Sequence, residues 1–217
     1  MGVAGADSSA DWSGPSRALG VACPELKHAL HLIKRPHIRL RPGGFEGLFR
    51  IIVEQQVSVP SAQAILGRIN AAIDMSDPTG ALGVGVDGLR GLGLSAPKAR
   101  YVLGLAEQIE TGAFELGMID RLCDHDALHY LMSIKGIGPW SAAIYLLFCA
   151  GRIDVWPPKD VALKAAFNHA RSEIDQTDDA LSQAELDTEA LHWAPNRGVA
   201  AHILWTYYAF IRGRSPI

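Results

Sequence analysis

Cysteine is scarce in this 217-residue chain, which carries three, and no two of them form a CxxC pair. Cys23, Cys123 and Cys149 are too scattered for a disulfide framework, a zinc site or a four-cysteine iron–sulfur cluster. Cys149 sits in an apolar run and reads as a small core residue. Long hydrophobic runs are missing as well: no stretch reaches the roughly 18–20 apolar residues that cross a bilayer, so no membrane-spanning helix is expected. Positive charge is in deficit, with 20 Lys and Arg against 23 Asp and Glu and a formal net charge of −3. Proteins that coat nucleic acid through bulk electrostatics are basic. Any DNA contact here therefore has to come from a local site of backbone amides and a few selected cations.

Strand-type alternation is also wanting, and what remains is helical periodicity, which points to an all-α fold. Phe45, Leu48, Phe49, Ile52 and Val53 recur at three- and four-residue spacing, as do Ala62, Ile65, Leu66, Ile69 and Ile73. Between them the pattern breaks at Gln55-Gln56-Val57-Ser58-Val59-Pro60-Ser61, where Pro60 can open the next helix. Residues 75–93, rich in Gly, Asp and Pro, read as a loop or short turns. Ser95 with Pro97 starts a helix, and another runs from Asp124 to about Ser133. Further helices are expected from Pro139 to about Ala150, from Asp160 to about Arg171, behind a capping box at Ser182 and Glu185, and from near Pro195. Residues 1–20 are small, polar and slightly acidic, without the basic and apolar regions of a secretory signal. They read as a disordered leader to one domain over 21–217, with a cytoplasmic location, nucleoid-associated if bacterial, and a monomeric state as the expectations.

The stretch Leu131-Met132-Ser133-Ile134-Lys135-Gly136-Ile137-Gly138-Pro139-Trp140-Ser141-Ala142 is the most informative. Two glycines two apart between helices permit a tight turn with positive φ and a close approach of backbone to ligand. Pro139 then takes the first helical position, where its missing N–H costs nothing. The free amides of such a turn suit a phosphate oxygen, and Lys135 adds a point charge. A bare GxG between helices is as readily an ordinary capped connection.

With its apolar frame the hairpin, about residues 124–150, resembles that of the helix-hairpin-helix (HhH-GPD) DNA glycosylase superfamily, in which a Gly/Pro-rich loop and an aspartate follow. Gly136-Ile137-Gly138-Pro139-Trp140-Ser141-Ala142 and Gln55-Gln56-Val57-Ser58 resemble the 3-methyladenine DNA glycosylase II (AlkA-like) branch. The likeness spans about residues 40–212. It implies two helical lobes around a DNA-binding cleft, with damaged double-stranded DNA as partner. It implies phosphate binding at Lys135, Gly136, Ile137 and Gly138, and no required cofactor. A structural Na+ or K+ on the main-chain carbonyls of Met132, Ile134 and Ile137 is also implied. The extra N-terminal β-domain of the branch is not expected in so short a chain.

Asp160 follows Trp156-Pro157-Pro158-Lys159 and stands where the resemblance places the catalytic aspartate. Asp is equally among the best helix N-caps, and the two roles are compatible. An anion facing a helix N-terminus is favoured by the dipole and the amides. Such a charge stabilises the positive deoxyribose of N-glycosidic cleavage and can orient a water. Bifunctional members carry a Schiff-base lysine two residues after the second glycine; Trp140 stands there, so hydrolysis without strand cleavage is expected.

An indole face also attracts a cationic alkylated purine by about 0.5–2 kcal/mol, although Trp140 reads as well as a core aromatic. Gln56, Trp205 and Tyr208 are the further candidates for the base pocket, the last two being equally core residues. Ile144 replaces a second aromatic that relatives often place four residues after the tryptophan. Ser58 and Pro60 are candidates for DNA contact, with Val59-Pro60-Ser61 as a wedge into the gap left by a flipped base; capping and solvation are the plainer readings. Arg197 is a candidate phosphate contact or an unremarkable surface arginine. Competing functions are a non-catalytic hairpin module, a helical domain without DNA function, a glycosylase for another damaged base, and a bifunctional glycosylase/lyase.

Overall fold

The computed structural model of the chain describes residues 12–176 and 179–215. Those residues form eleven α-helices and two short 3-10 helices, and no β-strand is found among them. They divide into two compact units. One is continuous, Arg41–Ala150; the other is split, built from residues 12–40 and 151–215.

The continuous unit holds α3 (Gly44–Glu54), α4 (Val59–Ala72), α5 (Pro78–Gly91), α6 (Ala96–Glu110), α7 (Asp124–Met132) and α8 (Pro139–Phe148). The apolar stripe of α3 is its organising feature: Phe45, Leu48, Phe49, Ile52 and Val53 are all buried. Each contributes roughly 1.5–3 kcal/mol on leaving water. α8 is buried from Ser141 to Phe148 on every face, as an interior helix should be. The two pack very closely. A side chain at Gly47 would come within 2.7 Å of the Pro42 carbonyl and 2.9 Å of Cys149 Sγ. The Gly44 amide donates to the Tyr145 hydroxyl at 2.9 Å, which fixes the start of α3 against α8. Cys149 itself is half-buried, and burial pushes its thiol up to about 12.

Residues 75–93 depart from the expected loop. Most of them form α5, which carries five glycines and breaks at Gly85 (φ +64°, ψ −173°). Each glycine costs about 1 kcal/mol against alanine in a helix. Burial of Ala81 and Leu89 and extensive packing on α6 outweigh that cost.

The split unit contains α1 (Ser13–Ala22), α2 (Pro24–Ile33), α9 (Val161–Asp175), α10 (Gln183–Glu189) and α11 (Arg197–Ile211). Its core gathers Leu19, Leu26, Leu163, Phe167, Trp193, Ile203 and Tyr207. The reading of residues 1–20 as a leader is corrected here. Residues 13–20 lie in α1, where Leu19 is buried, while residues 1–11 lie outside the described residues. α9 runs four residues past Arg171, and α11 begins two residues after Pro195. The capping box at Ser182 and Glu185 forms as expected. Among the described residues no helix is long and apolar enough to cross a membrane.

Candidate functional site

In the continuous unit the hairpin is built from α7, the turn over 133–138 and α8. Leu131, Ile134 and Ile137 are buried and anchor the turn, leaving Lys135, Gly138, Pro139 and Trp140 exposed. Only one of the two glycines uses the left-handed region. Gly136 has φ +95°, and a Cβ there would collide with the Tyr101 ring. Gly138 is extended (φ −96°, ψ 179°), caps α8, and has open space where a Cβ would stand. The Ile137 amide donates to the Ile134 carbonyl at 3.0 Å, so the implied phosphate contact at Ile137 is corrected: its amide is spent inside the turn. The amides of Gly136 and Gly138 have no acceptor among the described residues. They are the donors left for an anion.

Gln55, at the end of α3, holds this turn in place. Its Nε2 donates to the Gly136 carbonyl at 2.9 Å and to Ser141 Oγ at 3.1 Å. The Gln55 backbone is fixed in turn by Lys98, whose Nζ donates to the carbonyls of Val53 (2.8 Å) and Gln55 (2.6 Å). Partial burial lowers the Lys98 pKa. In the sequence Gln55 stands in the family motif with no partner to be read, and Lys98 carries no signal. The contacts span 81 to 86 residues for Gln55 and 43 to 45 for Lys98, beyond the reach of any local pattern.

Gln56 follows at φ +53° and is exposed, as are Val57, Ser58, Val59 and Pro60. Ser58 caps α4, with its oxygen accepting from the Ser61 amide at 3.4 Å. Trp140 is 39% exposed, which corrects the reading of it as a core aromatic. Ile144 is 3% exposed and belongs to the core, so the departure at that position changes packing inside α8 and not the exposed face beside Trp140.

In the split unit Asp160 is 8% exposed and caps α9, its Oδ1 accepting from Ala162 N (2.9 Å) and Leu163 N (3.0 Å). The loop that delivers it is tied down by a residue the sequence did not mark. Asp187 of α10 accepts from Trp156 Nε1 (2.9 Å), from the Lys159 amide (3.2 Å) and from Gln183 Nε2 (3.2 Å). Lys159 holds φ +60°, uncommon outside glycine, and the bond to Asp187 restrains it there. No local signal exposes Asp187, which lies 28 and 31 residues from its loop partners.

Arg197 is paired with a carboxylate. Its Nε and Nη2 both donate to the Asp154 carboxylate at 2.9 Å, and its amide adds a third bond at 3.1 Å. Burial opposes ionisation of Asp154, but these bonds outweigh it and hold the carboxyl below its ordinary range. Trp205 and Tyr208 on α11 are partly buried against the split unit's core. Trp205 meets His202 edge-on at 5.7 Å, and Arg212 lies 5.5 Å from the Tyr208 ring centre. Among the described residues no group of three or more His, Cys, Asp or Glu side chains is arranged to hold a metal.

Residues 49–189 match the family described as HhH-GPD superfamily base excision DNA repair protein. DNA-3-methyladenine glycosylase 1 of Schizosaccharomyces pombe is 27% identical over 167 residues, covering 74% of this chain and 71% of that protein. The YfjP protein of Bacillus subtilis (strain 168) is 30% identical over 117 residues, 54% of this chain, and the match spans only 39% of the relative. Among solved structures, the S. pombe 3-methyladenine DNA glycosylase in complex with abasic DNA superposes with a TM-score of 0.77 at 23% identity. That superposition covers 89% of this chain and 95% of the other, and it bears out the all-α fold.

Proposed function

Because the chain belongs to the HhH-GPD superfamily of base excision DNA repair proteins, we propose that it is a monofunctional glycosylase releasing alkylated purines of the 3-methyladenine type from double-stranded DNA. The observation that carries the reading is Asp160, a carboxylate buried at the N-terminus of α9 and gripped there by two amides. A fixed anion in a dry site stabilises the oxocarbenium character that develops on the deoxyribose. Water adds to C1′ and passes a proton to the Asp160 carboxylate. The electron pair of the breaking N-glycosidic bond leaves with the base and cancels its ring charge. The target base has to leave the duplex first, and the exposed Trp140 indole offers a cationic purine a favourable face. A Schiff-base step has no amine at the family position, because Trp140 occupies it.

The hairpin grips phosphate through the Gly136 and Gly138 amides with Lys135 beside them. Met132, Ile134 and Ile137 would offer a Na+ or K+ only neutral carbonyl oxygens, which suit a hard cation, that of Ile134 while also accepting from the Ile137 amide. A bound ion would add positive charge beside the phosphate. The agreement in sequence with DNA-3-methyladenine glycosylase 1 of S. pombe supports the substrate class.

The test is free-base release from methylated duplex DNA, with abasic sites and strand breaks scored separately. Methylpurine release with intact strands is expected. Asp160→Asn separates chemistry from capping, since Asn caps a helix nearly as well as Asp. That variant should melt like the parent and bind DNA, yet lose at least about 100-fold in release rate. Undiminished release by Asp160→Asn would remove the catalytic assignment. Absence of release from the parent protein, with DNA binding intact, would leave a module that grips DNA without cutting the glycosidic bond.

A further inference from the structure

A cavity of about 820 Å3 opens in the split unit, remote in sequence from Asp160 and made of α1, the end of α2 and the segment that follows it, with Thr206 from α11. Its size falls within the range of small-molecule sites, roughly 300–1,000 Å3. The wall is apolar, formed by the Trp12 indole, Leu30, Ile33 and Ile38. The rim is cationic. Arg17, Lys34 and Arg35 are exposed, and none has an ion-pair partner among the described residues. No carboxylate is found among the described lining residues, although the chain as a whole carries a net charge of −3.

One further observation points to a ligand. Lys34 adopts φ +66° and ψ −49°, a strained backbone for a residue other than glycine. Strain of this kind gathers at ligand clamps.

We propose that this cavity binds a compact organic anion with an apolar body: an aryl or short acyl carboxylate, sulfonate or phosphate monoester. The three cations set the sign of the charge. The aliphatic and indole wall sets an apolar body. The site is independent of the glycosylase reading and stands or falls without it.

The experiment is a fluorescence titration of the full chain with anilinonaphthalene sulfonate, an aromatic anion of the required form. Saturation at one equivalent is expected, with affinity falling as salt is raised. The double variant Arg17→Ala/Arg35→Ala should bind about tenfold more weakly while melting at the parental temperature, since both side chains are exposed. Arg100→Ala, an exposed cation of the other unit, should leave affinity unchanged. Equal binding by the double variant and the parent would overturn the proposal, as would equal weakening by Arg100→Ala or the absence of saturable binding.

Discussion

Asp160 and Asp187 show how differently two carboxylates can serve one loop. Asp160 faces two amides of its own helix, whereas Asp187 reaches across from α10 to hold the backbone that presents Asp160. Asp187→Asn keeps the size of the side chain but trades charge-assisted bonds for neutral ones, which are roughly half as strong. Lys159, at φ +60°, then loses part of its restraint, and Asp160 is presented less uniformly. The expected outcome is a fall of about tenfold in the single-turnover rate of base release. DNA affinity and the pH profile should stay at parental values. A rate equal to the parent's would show that the Asp187 bonds do not position the carboxylate; a weakened DNA affinity would place Asp187 in binding. Asp154 serves an arginine in a similar way, holding the Arg197 guanidinium through two nitrogens and its amide through a third bond.

The hairpin divides its labour between its glycines, and substitution can separate them. Gly136→Ala forces a Cβ into the Tyr101 ring at a positive φ, so the protein should lose about 1–3 kcal/mol of stability, read as a lower denaturation midpoint. Gly138→Ala puts a methyl into open space at an ordinary φ, so stability should hold. DNA affinity should nevertheless fall about tenfold for any sequence, because the methyl stands where phosphate must approach the amides. Unchanged affinity in a filter or anisotropy assay would sever the hairpin from DNA. At this scale the sequence was legible where apolar spacing was regular, as in α3 and α4, and where a capping residue or proline marked the start, as in α6, α7 and α8. It was not legible in α5, where glycine masks a helix that packing on α6 enforces, nor in α1 and α2. The roles of Gln55, Lys98 and Asp187 were hidden for another reason. Each is defined by partners 28 to 86 residues away, which no periodicity encodes.

The stability of the molecule should carry an acid limb from His202. It is 1% exposed on α11, and its pKa is pulled from 6.5 to about 4, chiefly by burial. The His37 carbonyl opposes that shift, and the charges of Arg39 and His37 reinforce it, while Trp12 and Trp205 pack against the ring. In the unfolded chain the imidazole takes up its proton near 6.5, so unfolding absorbs a proton between the two values. The contribution is therefore complete above pH 6.5 and is lost as pH falls toward 4, by up to about 3 kcal/mol. Urea midpoints measured across that window should drop with acid in the parent and drop less in His202→Gln. Equal slopes would remove His202 as the cause.

The split unit has a consequence for biosynthesis. Its two strands of chain, residues 12–40 and 151–215, are separated by the whole continuous unit. α1 and α2 precede that unit in synthesis, whereas their partners α9 and α11 emerge only after it. The hairpin, encoded entirely within residues 41–150, can be complete before then. The residues of the proposed phosphate grip thus precede those of the carboxylate helix in synthesis, and on that reading a message truncated just beyond residue 150 encodes the grip without Asp160.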